Sequence, residues 1–215
     1  KDIELLYPYE ITLPDPPKAE DIINYGLPIE QQFFKRIEQP KKLIELNSLE
    51  DVKEARRRLL ANDDLSSWVD ELWDILENGQ WQYIRGVPTF ITGDYLRYLS
   101  FNKIDTGLPL YRSSDMDKAQ WWEFCIKKNP YCFGGIEMTR RRVGKSYFAG
   151  MFGLSSSTNG YGRNFGIQSK EDKSAMDFFR KCVRNPLKSY PFYLRPHSST
   201  DINTKGNRIE FDEPD

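Results

Sequence analysis

The sequence predicts an α/β fold: a parallel sheet with crossover helices, set behind a helical N-terminal region. Three observations predict it. Residues 131–185 read as strand, helix, strand, helix, the order that gives parallel strands with right-handed crossovers. The triplet Gly144-Lys145-Ser146 falls at the first strand-to-helix junction. Upstream, residues 48–79 carry two apolar stripes at helical spacing.

Composition supports a real core. The chain has 215 residues, 39% hydrophobic and 14% aromatic, which excludes disorder over most of its length. Its 31 basic and 32 acidic residues leave a net charge of -1, so any basic surface must be local. Cys125, Cys132 and Cys182 are widely spaced and form no Cys-x-x-Cys, which argues against a zinc site or disulfide framework and suits a reducing cytosol. His197 stands alone between Pro and Ser and reads as a solvated loop residue, which sets hydrolase triads aside. No apolar run approaches the roughly 20 residues of a membrane span, and no signal peptide is visible.

Residues 1–40 are Pro-rich and charged and read as an irregular arm with one short helix. Ser48 and Asp51 fit a capping box, followed by Val52, Ala55, Arg56, Leu59 and Leu60 at helical spacing, the Arg breaking a clean stripe. A second helix opens near Asp64, with Leu65, Trp68, Val69, Leu72, Trp73 and Leu76 on one face and Gly79 at its stop. These make a helical hairpin, so that residues 1–85 form an arm-and-hairpin region. Residues 86–130 follow as an aromatic segment, with a turn at Gly93-Asp94, a short helix, and a helix over 114–128 ended by Asn129-Pro130. In residues 131–215 the expected elements are a buried strand at 131–138, a helix over 144–154 and a strand at 164–169. A helix capped by Ser169 and Asp172 and stopped at Asn185-Pro186 comes next, and the tail at 208–215 reads as one more strand.

The chemistry lies in Thr139-Arg140-Arg141-Arg142-Val143-Gly144-Lys145-Ser146. A phosphate-binding loop needs a strand feeding a sharp turn, inward backbone N–H groups, a Lys for the β and γ phosphates, a Ser or Thr for Mg²⁺, and a helix starting at that point. The second half of G-x-x-x-x-G-K-[ST] is intact, and Thr139 replaces the first glycine. Gly-Lys-Ser/Thr alone arises by chance in roughly one chain in ten of this size; the strand before it and the helix after it raise its weight. A basic run is usually a solvated face, but here the three arginines sit inside the loop. One guanidinium there is placed to neutralise transition-state charge, and Arg140 is the first candidate.

"TRRRVGKS", with a non-Gly first position and an early Arg, resembles the deviant Walker A of phage large terminase subunits, the ATPases that pump DNA into capsids. "GVPTFITGDYLRYLSFNKI" is similar to the aromatic segment before the ATPase core of tailed-phage terminases, including the crAss-like type. "LPLYR" with its following helix is similar to the region of the adenine-recognising Q motif, and "NFGIQSKEDKSAMDFFRK" to the family's next strand and helix. The likeness covers roughly residues 86–185 and implies a RecA-like (ASCE) P-loop NTPase core, present here only in part, with ATP and Mg²⁺ as cofactors.

The resemblance further implies that Lys145 contacts the β and γ phosphates, Ser146 ligates Mg²⁺, Thr139 to Gly144 form the cradle, and Arg140 senses the γ-phosphate. Tyr111, Arg112 and Asp115 fall on the adenine side, Asp115 standing where the family has Gln. The expected Walker B strand is missing, since the stretch before Asp212-Glu213 is too polar, and no nuclease cluster fits in the chain. The sequence is therefore expected to be an N-terminal fragment, weakly active or inactive by itself. The implied partners are double-stranded DNA, a portal protein, a small terminase subunit and further copies in a homo-oligomeric ring, with no membrane. The implied location is the host cytoplasm, at the procapsid portal. The alternatives are another P-loop DNA motor such as a helicase, or a non-catalytic module in which residues 1–85 dock on the portal or small terminase.

Overall fold

A computed structural model describes residues 11–128, 144–158, 165–198 and 208–212. These residues mix helix with a little strand and divide into two compact units. The first takes Lys1–Arg36, Ile75–Leu96 and Tyr111–Met138; the second takes Ile37–Asp74, Arg97–Leu110 and Thr139–Asp215.

In the first unit, β1 (Gln80–Ile84) pairs antiparallel with β2 (Val87–Ile91), Trp81 opposite Phe90. The turn between them is Arg85-Gly86, both with positive φ (50° and 83°), the twist a two-residue hairpin requires. The Pro-rich arm lies against this hairpin. Ile23 N–H donates to Trp81 C=O (3.3 Å), and Ile23 C=O accepts from Tyr83 N–H (2.8 Å).

Three buried amide side chains hold the arm. Gln82, fully buried, accepts from Lys35 N–H and donates to Lys35 C=O, both at 2.9 Å. Gln32 donates to Leu27 C=O (2.8 Å) and accepts from Gly86 N–H (2.7 Å). Asn24 donates to Phe33 C=O (2.8 Å) and Tyr83 C=O (2.9 Å). Each replaces a ladder bond that the irregular backbone does not make, so the arm buries its peptide groups without strands.

Beyond the hairpin, α4 (Gly93–Phe101) and α5 (Ser113–Trp121) follow, and a π-helical turn, Trp122–Lys127, extends α5. The rings of Trp81, Phe90 and Phe124 pack in a row, 5.5 and 6.2 Å between centroids. Gln120 donates to Phe90 C=O at 2.8 Å.

The helical hairpin is present and gains a helix in front. The elements are α1 (Lys41–Asn47), α2 (Val52–Leu60) and α3 (Asp63–Asn78). In the second unit Leu43, Ala55, Leu59, Leu65, Val69 and Phe192 form one buried cluster, with Trp68 and Trp73 packed on it. The cap of α2 differs from expectation. Asp51 is the cap, accepting from Lys53 N–H (2.9 Å) and Glu54 N–H (3.3 Å). Ser48 instead closes α1, donating to Glu45 C=O at 2.6 Å. Gly79 stops α3 with φ +77° and a bond to Ile75 C=O of 2.8 Å.

The remaining helices are α6 (Lys145–Thr158), α7 (Asp172–Phe178), a π-helical turn Phe179–Arg184, and α8 (Asn185–Ser189). Gly150 of α6 lets the Cys182 backbone approach, since a Cβ there would stand 2.3 Å from Cys182 C=O.

Several expectations are corrected. Among the described residues the sheet is two-stranded and antiparallel, and no parallel sheet is present there. The expected strand at 131–138 lies outside the described residues. Residues 165–169 pair with no strand; Gly166 interrupts them, and Phe165, Gln168 and Ser169 are exposed, so neither face is buried to fix a register. Ser169 caps nothing: the cap of α7 is Glu171, with no side-chain bond. Asn185-Pro186 does not stop the helix. Helical backbone runs on from the π-helical turn into α8, with Pro186 near the start of α8. Residues 208–212 are not strand; Asp212 N–H donates to His197 C=O at 3.0 Å.

Candidate phosphate-binding site

The start of α6 is the site the sequence singled out. Gly144 precedes it with φ +85°, a left-handed conformation in which a side chain is strained. The chain then turns directly into helix at Lys145, one residue after the expected start at Gly144. The first helical bond after Gly144 runs from Phe148 N–H to Gly144 C=O at 3.2 Å. The amides ahead of it belong to the first turn, where an α-helix has no internal acceptors.

The inner face of α6 fixes its position. Phe148 and Met151 are buried, and Phe148 meets Tyr98 and Phe152 edge-on at 6.1 and 4.8 Å. Gly144, Lys145 and Ser146 are exposed, so the anchored helix presents its N-terminus outward. Tyr147 is half-buried; burial, reinforced by the nearby Asp105 carboxylate, pushes its phenol up to about 12. Nothing in the sequence marks Asp105 as a neighbour of this turn.

The charge at this terminus is unusual among the described helices. Among the described residues the other α-helices of eight residues or more each carry an acid in the first turn: Glu54 in α2, Asp63 and Asp64 in α3, Asp94 in α4, Asp115 in α5. Those carboxylates answer the positive end of the helix dipole. The first turn of α6 has no acid and begins with lysine. Its positive end is therefore answered by no carboxylate of its own first turn.

Thr139, Arg140, Arg141, Arg142 and Val143 lie outside the described residues. Tyr111, Arg112 and Asp115 are brought together in the first unit, whereas Gly144, Lys145 and Ser146 belong to the second. Tyr111 stacks on Phe34 (5.4 Å between centroids, 12° between planes), and its hydroxyl lies 3.4 Å from Met116 Sδ. Arg112 N–H donates to the Tyr95 hydroxyl, which donates back to Arg112 C=O, both at 3.1 Å. Asp115 faces cations: Lys118 at 3.5 Å and Arg112 at 3.9 Å. This trio is a packed start to α5, with the aromatic face of Tyr111 already covered by Phe34.

Asp212 sits 3.7 Å from the His197 imidazole. Among the described residues no group of three or more His, Cys, Asp and Glu side chains is placed to hold a metal. No helix there is long and apolar enough to cross a membrane. Comparison with protein-family models, curated proteins and solved structures finds no match for this chain.

Proposed function

We propose that this chain is the nucleotide-binding part of a P-loop ATPase of the viral DNA-packaging type, a terminase large subunit. In that role Lys145 contacts the β and γ phosphates of ATP. Ser146 holds Mg²⁺, which supplies neutralising charge at the phosphates. Thr139 to Gly144 form the cradle, and Arg140 neutralises charge as water attacks the γ-phosphate in line. A parallel RecA-like core around the 131–138 segment is part of this proposal, as is the coupling of hydrolysis to movement of double-stranded DNA. For Tyr111, Arg112 and Asp115 an adenine-side role rests on the resemblance alone.

The observation that supports this reading best is the start of α6. A left-handed glycine, an exposed lysine and an exposed serine lead into a buried helix whose first turn lacks any acid. The DNA-packaging role rests on the resemblance of "TRRRVGKS" to the deviant Walker A.

Titration with a fluorescent ATP analogue, with and without Mg²⁺, tests the assignment of Ser146. Ser146→Ala is expected to weaken binding about tenfold, roughly 1.4 kcal/mol, when Mg²⁺ is present. Without Mg²⁺ the variant and the parent should bind alike. Equal affinities in Mg²⁺ would remove Ser146 from the site.

A further inference from the structure

The Pro-rich arm of the first unit carries a segment that the nucleotide site does not use. Residues 13–18 read Leu-Pro-Asp-Pro-Pro-Lys. Proline holds φ near about −65°, and the residue before a proline is confined to extended or polyproline II backbone. Pro14, Pro16 and Pro17 are prolines, and Leu13, Asp15 and Pro16 each precede one. Every residue from 13 to 17 is therefore restricted by its own ring or its neighbour's. Lys18 continues the same backbone, with φ −57° and ψ 146°.

The segment is open to a partner. Pro14, Asp15, Pro16, Pro17 and Lys18 are exposed, and Leu13 is half-buried. Among the described residues the backbone of residues 11–17 makes no hydrogen bond, as suits a polyproline II helix, which has none of its own. The fold takes hold just beyond it. Asp21 N–H donates to Lys18 C=O at 2.9 Å, and Ile22 is 4% exposed.

A polyproline II helix has three residues per turn, so residues three apart share an edge. Pro14 and Pro17 lie on one edge, Leu13 and Pro16 on a second, Asp15 and Lys18 on the third. Two edges are thus apolar and one is charged. Leu13-Pro14 and Pro16-Pro17 form two apolar-proline pairs, one turn or about 9 Å apart, with Asp15 between them. A rigid spacer needs prolines but no such division of edges. The division matches the way grooves lined by aromatic rings take Pro-x-x-Pro segments, whose preformed backbone leaves little entropy to lose on binding.

We propose that residues 13–18 are a docking segment for a partner protein that presents an aromatic-lined groove, with one pocket for Leu13-Pro14 and one for Pro16-Pro17. Asp15 and Lys18 face away from the groove floor. The inference rests on the first unit alone and does not depend on nucleotide binding at α6.

Surface plasmon resonance of the full chain over immobilised SH3, WW and EVH1 domains, three modules with such grooves, tests it. At least one domain is expected to bind the parent. Pro14→Ala and Pro17→Ala should each weaken that binding about tenfold or more, and Asp15→Ala by less than about twofold. Changing an aromatic residue of that domain's groove to Ala should abolish it. The three substituted positions are exposed, so each variant should keep the parent's circular dichroism spectrum. No binding by any of the domains would leave the segment a spacer and overturn the proposal. Full binding by both proline variants, or a loss at Asp15 equal to that at the prolines, would overturn it as well.

Discussion

Gly93→Ala is expected to destabilise the protein by about 3 kcal/mol or more, at the upper end of overpacking costs. A Cβ at Gly93 would stand 1.9 Å from the Leu76 carbonyl oxygen and 2.4 Å from its carbon. Both atoms are backbone, so no side-chain rotation relieves the overlap. The start of α4 must move away from the end of α3, and the buried residues beside it, Leu76, Ile91 and Tyr95, move with it. Elsewhere the same substitution stabilises by about 0.4–1 kcal/mol through the unfolded chain. The sign at Gly93 is thus set by the close approach. At about 2–4 °C per kcal/mol, the midpoint should fall by about 6–12 °C in thermal unfolding followed by circular dichroism. Gly166→Ala, with nothing within 4 Å of its Cβ, is the matched control and should not fall. An unchanged midpoint for Gly93→Ala would mean that the α3–α4 junction is looser than described.

The second large effect is expected at Lys127. Its ammonium lies 3.0 Å from Glu123 Oε2 and 3.4 Å from Asp94 Oδ2. Those carboxylate side chains are only 7% and 4% exposed. Burial opposes the Lys127 charge, but Asp94 and Glu123 outweigh it, and the net pKa is raised. A raised folded pKa means that the stabilisation is complete below the ordinary lysine value of 10.5 and is lost as pH rises through the folded value. Lys127→Met removes the ammonium and leaves both carboxylates in place. Glu123 keeps Lys128 at 3.3 Å, while Asp94 loses this lysine. Breaking a buried pair from one side costs about 3–5 kcal/mol. Urea unfolding should show that loss, and adding Asp94→Asn should restore part of it, the two being coupled. A loss under about 1 kcal/mol, the worth of an exposed pair, would show that Lys127 acts as a surface residue.

The parts of the fold legible in the sequence are those with a local period. Ala55, Leu59, Leu65, Val69 and Leu72 repeat at helical spacing, and all are buried. Gly79 was readable because a helix stop needs a left-handed residue. The hairpin β1–β2 was not, because its turn is Arg-Gly where Asn-Gly is the usual signal, and only Gln82 of β1 is fully buried. The ordering of the Pro-rich arm was hidden for another reason. The bonds of Asn24, Gln32 and Gln82 across the fold join residues 59, 54 and 47 positions apart. No window of sequence contains both ends. Arg97 illustrates the same limit: it is fully buried, donating to Thr158 at 3.0 Å and lying 5.1 Å from the Trp73 ring, where its charge alone predicts exposure.

At the candidate site the sequence carried Gly144, Lys145 and Ser146 as a pattern, and the helix begins beside them as expected. The expected strand at 164–169 failed because apolar content was read without a buried face to set a register.

The central claim is that the N-terminus of α6 receives the phosphates of a nucleotide. Calorimetric titration of a non-hydrolysable ATP analogue with Mg²⁺, parent against Lys145→Ala, tests it most directly. The account predicts measurable heat for the parent and none for the variant at the same concentrations, with both proteins folded by circular dichroism. Equal binding by the two proteins, or no binding by either, would contradict it.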